Sequence, residues 1–232
     1  WSVVAHETRP GHHSQVQGMR EYFHSDCEGL MSWLDDQSSN SFVAFTEGWA
    51  LYSENPVMSD DTDVYNDNPL QKYGMFKWQV WRALRLIIDT GLHSRGMKRK
   101  EALDLFDKFA WDKTDFAVKE LTRYQSCPGQ ATAYMIGRLT IMQLRERTKK
   151  ELGEKFNLKD FHYQVLSQGN APLSFLRKYI EKYIECVTKD LKTGLCRSIT
   201  EPQKKSSEKL NKDHRSLKLR LAHIKSRHRH AP

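Results

Sequence analysis

Apolar residues recur at helical spacing through most of the 232-residue chain, and no alternating apolar–polar stretch is long enough for a sheet. The strongest stripe runs from Pro69 to about Leu92 and comprises Met75, Trp78, Val80, Trp81, Leu84, Ile87 and Ile88. Similar patterns predict helices over about 13–23, 41–54, 99–110, 114–124, 131–152, 158–167 and 172–191. The pattern therefore indicates a mainly α-helical fold.

Local signals set the expected ends of these helices. Ser41 and Thr114 stand where an N-cap hydroxyl is favoured. Pro69 is predicted to open the longest helix, and Pro172 stands where a first-turn proline is tolerated. Gly91 is predicted to stop the longest helix, and Arg99 or Lys100 to start the next.

A polar loop is expected between Asn55 and Asn68. It contains Asp60, Asp61, Asp63 and Asp67, which raises the possibility of calcium. The segment lacks the glycine and the terminal glutamate of a calcium-binding loop, so a solvated loop is the preferred interpretation.

The net charge of +8 is confined to the end of the chain. Residues 197–232 hold eleven lysines and arginines against three acidic residues, whereas residues 1–196 hold 26 of each sign. We expect a folded portion at 1–196 and a basic, disordered tail at 197–232. The alternative for the tail is a patch that contacts an anionic surface. The neutral body makes nucleic-acid binding an unfavoured class.

The four cysteines are Cys27, Cys127, Cys186 and Cys196, and none belongs to a Cys-x-x-Cys pair. Cys186 and Cys196 can pair across a short loop in an oxidising compartment; the alternative is four free thiols. The pair favours a secreted or extracellular location. No apolar run is long enough to span a bilayer. The chain begins at Trp1 rather than Met, which indicates an incomplete or processed chain, so a missing signal peptide does not argue against secretion.

Three imidazoles and a carboxylate lie within residues 6–13, HETRPGHH. In a zinc peptidase helix, His-Glu-x-x-His places two ligands one turn apart, and the glutamate between them acts as general base. Here Pro10 interrupts the pattern. If Pro10 and Gly11 form a bulge, His12 takes the second position. In an unbroken helix His13 would lie roughly 10 Å along the axis from His6, too far to share one ion. His13 is therefore a neighbour of the ligands or a fallback.

The third ligand is expected from the segment FTEGWALYSE, residues 45–54. Glu47 and Glu54 are about two turns apart and share one helix face. We assign Glu47 to the metal and Glu54 to orienting a ligating histidine. The expected cofactor is Zn²⁺. The alternative is that His12 and His13 are ordinary exposed polar side chains and that Pro-Gly marks a turn.

The motifs HETRPGHHSQ and FTEGWALYSE resemble those of domain-of-unknown-function family 885, whose patterns are of the types HExxPGHH and EGWAxYxE. Segments 82–93, 123–137 and 161–173 also look like family signatures, so the resemblance covers about residues 1–190. It implies a gluzincin-type zinc metallopeptidase-like domain, mostly helical and considerably longer than this chain, whose part before the His-Glu motif is missing here.

The predicted reaction is zinc-assisted hydrolysis of a peptide or small amide substrate. Glu7 is the predicted general base. A second oxyanion donor is needed besides the metal. Tyr134 is the first choice, and the other candidates are Tyr124, Arg123 and His93. Each of these four has a structural alternative as a core aromatic, an ion-pair partner or a cap.

A rival function is that of a non-catalytic, metallopeptidase-like fragment that serves as a structural, matrix or interaction protein. Substitution of Glu7 discriminates between the two classes, because only an enzyme needs that carboxylate.

Overall fold

The computed structural model describes residues 1–19 and 42–201, and within them it is helical without strands. The α-helices are α1 (Ser2–Glu7), α2 (His12–Gly18), α3 (Val43–Tyr52), α4 (Pro69–Ser94), α5 (Arg99–Ala110), α6 (Asp115–Ser126), α7 (Gln130–Leu152), α8 (Leu158–Leu166), α9 (Leu173–Thr188) and α10 (Gly194–Thr200). A wide π-type turn, Ser53–Met58, continues α3, and a short 3₁₀ turn, Gly153–Lys155, follows α7. The predicted helical class is therefore confirmed.

Most predicted helix ends agree with the structure. The hydroxyl of Thr114 accepts a hydrogen bond from the backbone N–H of Phe116 at the start of α6. The prediction that Gly91 stops α4 is wrong, because the helix continues to Ser94. Gly91 instead lies against Met97, where a Cβ would approach the methionine side chain to 2.6 Å. The expected cap at Ser41 and helix end near Phe23 lie outside the described residues.

The centre of the fold is the crossing of α3 and α7. Gly48 and Gly137 face each other there, and a Cβ added at Gly48 would lie 2.4 Å from the Cα of Gly137. A Cβ at Gly137 would lie 1.8 Å from the backbone oxygen of Ala44. The two helices therefore pack backbone to backbone, which fixes α3 and its carboxylate, Glu47, within the molecule.

Two apolar clusters flank this crossing. One joins α3 and α7 to the C-terminal helices through residues such as Phe45, Ile141, Phe161, Leu176 and Ile180. The other joins α4, α5 and α6 and is built around Trp81, Phe106, Leu121 and Tyr124. In the stripe predicted for α4, Met75, Trp81, Leu84 and Ile88 are buried, whereas Val80 and Ile87 are exposed.

A disulfide joins Cys186 at the end of α9 to Cys196 in α10. Cys127 is exposed and free, and Cys27 lies outside the described residues. The boundary expected at residue 196 falls inside α10, which extends to Thr200 because Cys196 and Ile199 are buried against the first cluster. The tail beyond Glu201 lies outside the described residues. None of the described helices has the length and apolar character needed to cross a bilayer.

Candidate metal centre

A bulge between α1 and α2 brings His6 and His12 together. The backbone N–H of Gly11 donates to the carbonyl oxygen of Ala5 at 3.0 Å. This hydrogen bond spans six residues instead of the four of an α-helix, so the intervening residues bulge outward. Only glycine fits at position 11, because a Cβ would lie 1.9 Å from the backbone oxygen of His6. The two imidazole rings meet edge to face with centroids 4.8 Å apart. The structure therefore has the bulge on which the pairing of His6 with His12 depends.

Glu47 on α3 completes the group. Its Oε2 lies 3.2 Å from Nε2 of His6 and 3.3 Å from Nε2 of His12. One ligand atom from each of these three residues lies within 4.8 Å of the others, and no other such group occurs among the described residues. The acidic loop at 60–67 therefore forms no comparable cluster there.

The donor set fits zinc. Bond lengths of about 2.0–2.2 Å place two ligand atoms of a tetrahedral zinc roughly 3.3–3.5 Å apart. The two distances to Glu47 lie close to this range, and the three ligand atoms as a group lie within 4.8 Å of one another, so the two histidines would close in around an ion. Two imidazole nitrogens with one carboxylate oxygen leave a fourth position for water or substrate. These three residues could therefore hold a catalytic type of zinc ion.

Glu54 supports the centre from behind His6. Its Oε1 lies 2.7 Å from Nδ1 of His6, and its side chain is buried. The helical backbone is interrupted at the next residue, Asn55, whose conformation is extended. Arg138 of α7 holds this break by donating to the backbone oxygen of Asn55 at 2.8 Å and to its Oδ1 at 2.9 Å. Glu54 therefore orients the Nε2 of His6 toward Glu47.

The bulge is also tied to α3 from the other side. The indole N–H of Trp49 donates to the carbonyl oxygen of Pro10 at 2.9 Å. Trp49 is itself buried in the first apolar cluster. This bond fixes the bulge against the helix that carries Glu47.

Without metal, the pKa values of His6 and Glu47 are shifted in opposite directions. Burial opposes protonation of His6, but hydrogen bonds to Glu47 and Glu54, with their negative charges, raise its pKa to about 9. Burial likewise opposes ionisation of Glu47, yet hydrogen bonds and charge interactions with His12 and His6 lower its pKa to about 2. Metal binding must therefore displace a proton from His6 at neutral pH.

The pKa of His6 leads to a prediction for the metal-free protein. A histidine whose pKa is raised on folding stabilises the protein fully below its unfolded pKa of about 6.5, and this stabilisation is lost as pH rises through the folded pKa. We expect the difference in free energy of unfolding between wild type and His6→Ala, measured by urea denaturation in EDTA, to shrink from pH 6 to pH 10. A difference that stays constant over this range would contradict the assignment.

The structure places the four candidate oxyanion donors differently. The ring of Tyr134 stacks on that of His6 with centroids 6.1 Å apart, and burial together with the charge of Glu47 raises the pKa of its hydroxyl. Tyr124 is buried in the second cluster and donates to Glu120 at 2.9 Å. Arg123 forms an ion pair with the same carboxylate. His93 lies at the end of α4, with Nδ1 2.9 Å from the backbone oxygen of Asp89.

Glu7 and His13 are both exposed. His13 does not belong to the group of clustered ligand atoms. Glu7 directly follows His6 at the last position of α1 and makes no hydrogen bond or ion pair with the described residues. Its carboxylate is therefore exposed and is held by no described side chain.

Sequence reasoning missed the arginines around the centre. Arg138 holds the break beside Glu54, and Arg82 and Arg85 of α4 contact the ring of Tyr134. All three are nearly buried. The only signal in the sequence was their position on the otherwise apolar face of a helix, which is unusual for arginine.

Comparisons with known proteins support the family resemblance. A family model described as "Bacterial protein of unknown function (DUF885)" matches residues 1–180. A solved structure described as a "putative lipoprotein from Colwellia psychrerythraea" is 32% identical, with a TM-score of 0.70 over 79% of this chain and 30% of that one. A "putative lipoprotein of unknown function from Shewanella oneidensis" is 28% identical, with a TM-score of 0.66 over 78% and 31%.

The chain thus spans less than a third of either solved structure. No curated protein matches it.

Proposed function

We propose that this chain, which belongs to the family of bacterial proteins of unknown function DUF885, carries the metal-binding and catalytic residues of a zinc-dependent hydrolase that cleaves peptide amide bonds. The observation that carries the proposal is the convergence of His6, His12 and Glu47, with ligand atoms within 4.8 Å, from three separate helices. Glu54 behind His6 adds the carboxylate–histidine contact that accompanies catalytic zinc ligands.

The chemistry divides among a few side chains. Zinc, when bound, supplies a Lewis acid and lowers the pKa of a coordinated water. Glu7 accepts the proton of the attacking water and returns it to the leaving nitrogen. Tyr134, whose ring stacks on His6, donates a hydrogen bond from its neutral hydroxyl to the developing oxyanion.

The location we propose is the cell envelope or the exterior. Two similar solved structures are each described as a "putative lipoprotein", and the disulfide between Cys186 and Cys196 suits an oxidising compartment.

A second candidate is a non-catalytic, metal-binding module that acts as a structural or interaction protein. The side chain of Glu7 favours it, because it is exposed and has no partner among the described residues. The two candidates share the metal centre and differ in whether Glu7 is needed.

Metal content tests the centre itself. Wild-type protein loaded with zinc and dialysed should retain about one ion per chain by elemental analysis, whereas Glu47→Ala and His12→Ala should retain almost none, because each loses one of only three protein ligands. His13→Ala is the matched control, since it removes a neighbouring exposed imidazole that lies outside the group, and it should retain zinc. Zinc-free wild type, or loss of zinc in His13→Ala alone, would overturn the assignment.

A further inference from the structure

Two arginines near the candidate metal centre have buried N–H groups for which no described residue supplies a hydrogen-bond acceptor. Arg82 and Arg85 are 9% and 5% exposed. Nε and Nη1 of Arg82 and Nη1 of Arg85 are buried and have no hydrogen-bond partner within residues 1–19 and 42–201. Burying an unsatisfied charged donor is unfavourable, and folded proteins rarely leave one without a partner. These donors therefore point to an acceptor that the described protein does not supply.

The ring of Tyr134 connects these arginines to the metal centre. The guanidinium carbons of Arg85 and Arg82 lie 4.7 Å and 5.7 Å from the centroid of this ring. The same ring stacks on His6. An acceptor held by the arginines would therefore lie near the ring that also contacts His6, one of the three candidate ligands.

Neither nearby carboxylate, Glu120 or Glu54, accepts a hydrogen bond from Arg82. Glu120 accepts from Nη2 of Arg85 at 2.7 Å, and it also accepts from Arg123 and Tyr124. One oxygen of Glu54 contacts His6, and Glu54 forms no ion pair with Arg82. Its other oxygen is buried and has no hydrogen-bond partner in the part of the chain that the structure describes. Burial and the neighbouring Arg85 lower the pKa of Arg82, so its charge is poorly compensated. The three guanidinium groups of this cluster thus outnumber its two carboxylates, and one further anion would balance the charge. The guanidinium groups are those of Arg82, Arg85 and Arg123, and the carboxylates are those of Glu54 and Glu120.

We infer that Arg82 and Arg85 bind a substrate carboxylate, so that the preferred substrates are peptides whose free C-terminal carboxylate lies close to the cleaved bond. The inference rests on the proposed function for the position of the cleaved bond, but the anion site itself does not need metal. The planar guanidinium matches the geometry of a carboxylate, and its donors form charge-assisted hydrogen bonds. The acidic side chain of a substrate residue has the same chemistry, so the test separates the two sources.

Binding to the metal-free chain tests the site without activity. The affinity of three probes is measured by isothermal titration calorimetry in EDTA. N-acetylphenylalanine carries a terminal carboxylate, N-acetylphenylalanine amide carries none, and N-acetylglutamic acid α-amide carries only a side-chain carboxylate. We expect the first probe to bind at least about tenfold more tightly than the other two. Equal binding of acid and neutral amide would overturn the inference, and preference for the glutamate probe would assign the site to an acidic side chain instead.

Substitution assigns the binding to the arginine pair. Arg82→Met removes donors that have no partner in the described protein and should weaken binding of N-acetylphenylalanine about tenfold or more. Arg95→Met is the matched control, because this arginine is exposed, and it should bind as wild type. Arg82→Lys keeps the charge but loses the planar donors, and it should bind with intermediate affinity. If the Arg82→Met variant melts at the same temperature as the wild type and binds N-acetylphenylalanine equally well, the assignment is overturned.

The two proposals fail in different ways. If the metal-free chain binds the free acid but the zinc-loaded chain hydrolyses no peptide, the proposed hydrolase function fails and the carboxylate site stands. If the zinc-loaded chain cleaves free-acid and C-terminally amidated peptides with equal kcat/KM, the carboxylate site fails and the hydrolase function stands.

Discussion

Replacing Glu7 by Gln is expected to lower kcat/KM for peptide hydrolysis about 10²–10⁴-fold while zinc content stays at the wild-type level. The carboxylate lies outside the three ligands, so its loss should not affect metal binding. Glutamine keeps the size and polarity of the side chain but cannot accept the proton of the attacking water. Peptide-library hydrolysis, with elemental analysis of the same samples, measures both quantities.

Glu154→Gln is the matched control for this experiment. Glu154 is exposed in the 3₁₀ turn after α7 and makes no contact that ties it to the centre. Its variant should keep wild-type activity and zinc. If Glu7→Gln hydrolyses peptides as fast as the wild type, the role of general base is excluded and the non-catalytic module becomes the better description.

Gly137→Ala is expected to destabilise the protein by about 1–3 kcal/mol or more, even though alanine favours a helix over glycine. The new Cβ would lie 1.8 Å from the backbone oxygen of Ala44, and a backbone atom cannot rotate away as a side chain can. Helix α3 must therefore move, and Glu47 moves with it. We expect a lower urea midpoint and weaker zinc retention in the same variant.

Gly74→Ala is the matched control, because the same chemical change is expected to stabilise the protein there. Gly74 lies inside α4, and a Cβ there meets nothing within 4 Å. This variant should be more stable than the wild type by about 0.5–1 kcal/mol. If both glycine variants shift stability in the same direction, the close approach of α3 and α7 does not control the fold.

The helices themselves followed from local signals. Pro69 starts α4 and Thr114 caps α6, as expected, because these effects act within one turn of the chain. The error at Gly91 has a different origin. Met97 folds back against that glycine, and this contact depends on the loop after the helix rather than on glycine's local preference.

The candidate ligands were also predicted from the sequence, because their spacing carries the information. His6 and His12 needed a bulge at Pro10 and Gly11, and the structure contains it. The two-turn spacing of Glu47 and Glu54 indicated one helix face, and both carboxylates contact His6. Their binding of zinc remains a prediction.

The position of each helix against the others could not be obtained in this way. Whether Tyr134, Tyr124, Arg123 or His93 lies beside His6 depends on how α4, α6 and α7 pack around α3, and only Tyr134 stacks on it. The donors of Arg82 and Arg85 that lack a partner among the described residues are likewise visible only in three dimensions. The sequence by itself determined the helical class, the broken histidine motif and the spacing of its carboxylates, because these depend on interactions between near neighbours. Only the tertiary structure decided which distant side chains share the site, because that depends on the close contact of Gly48 with Gly137 and on the packing around it.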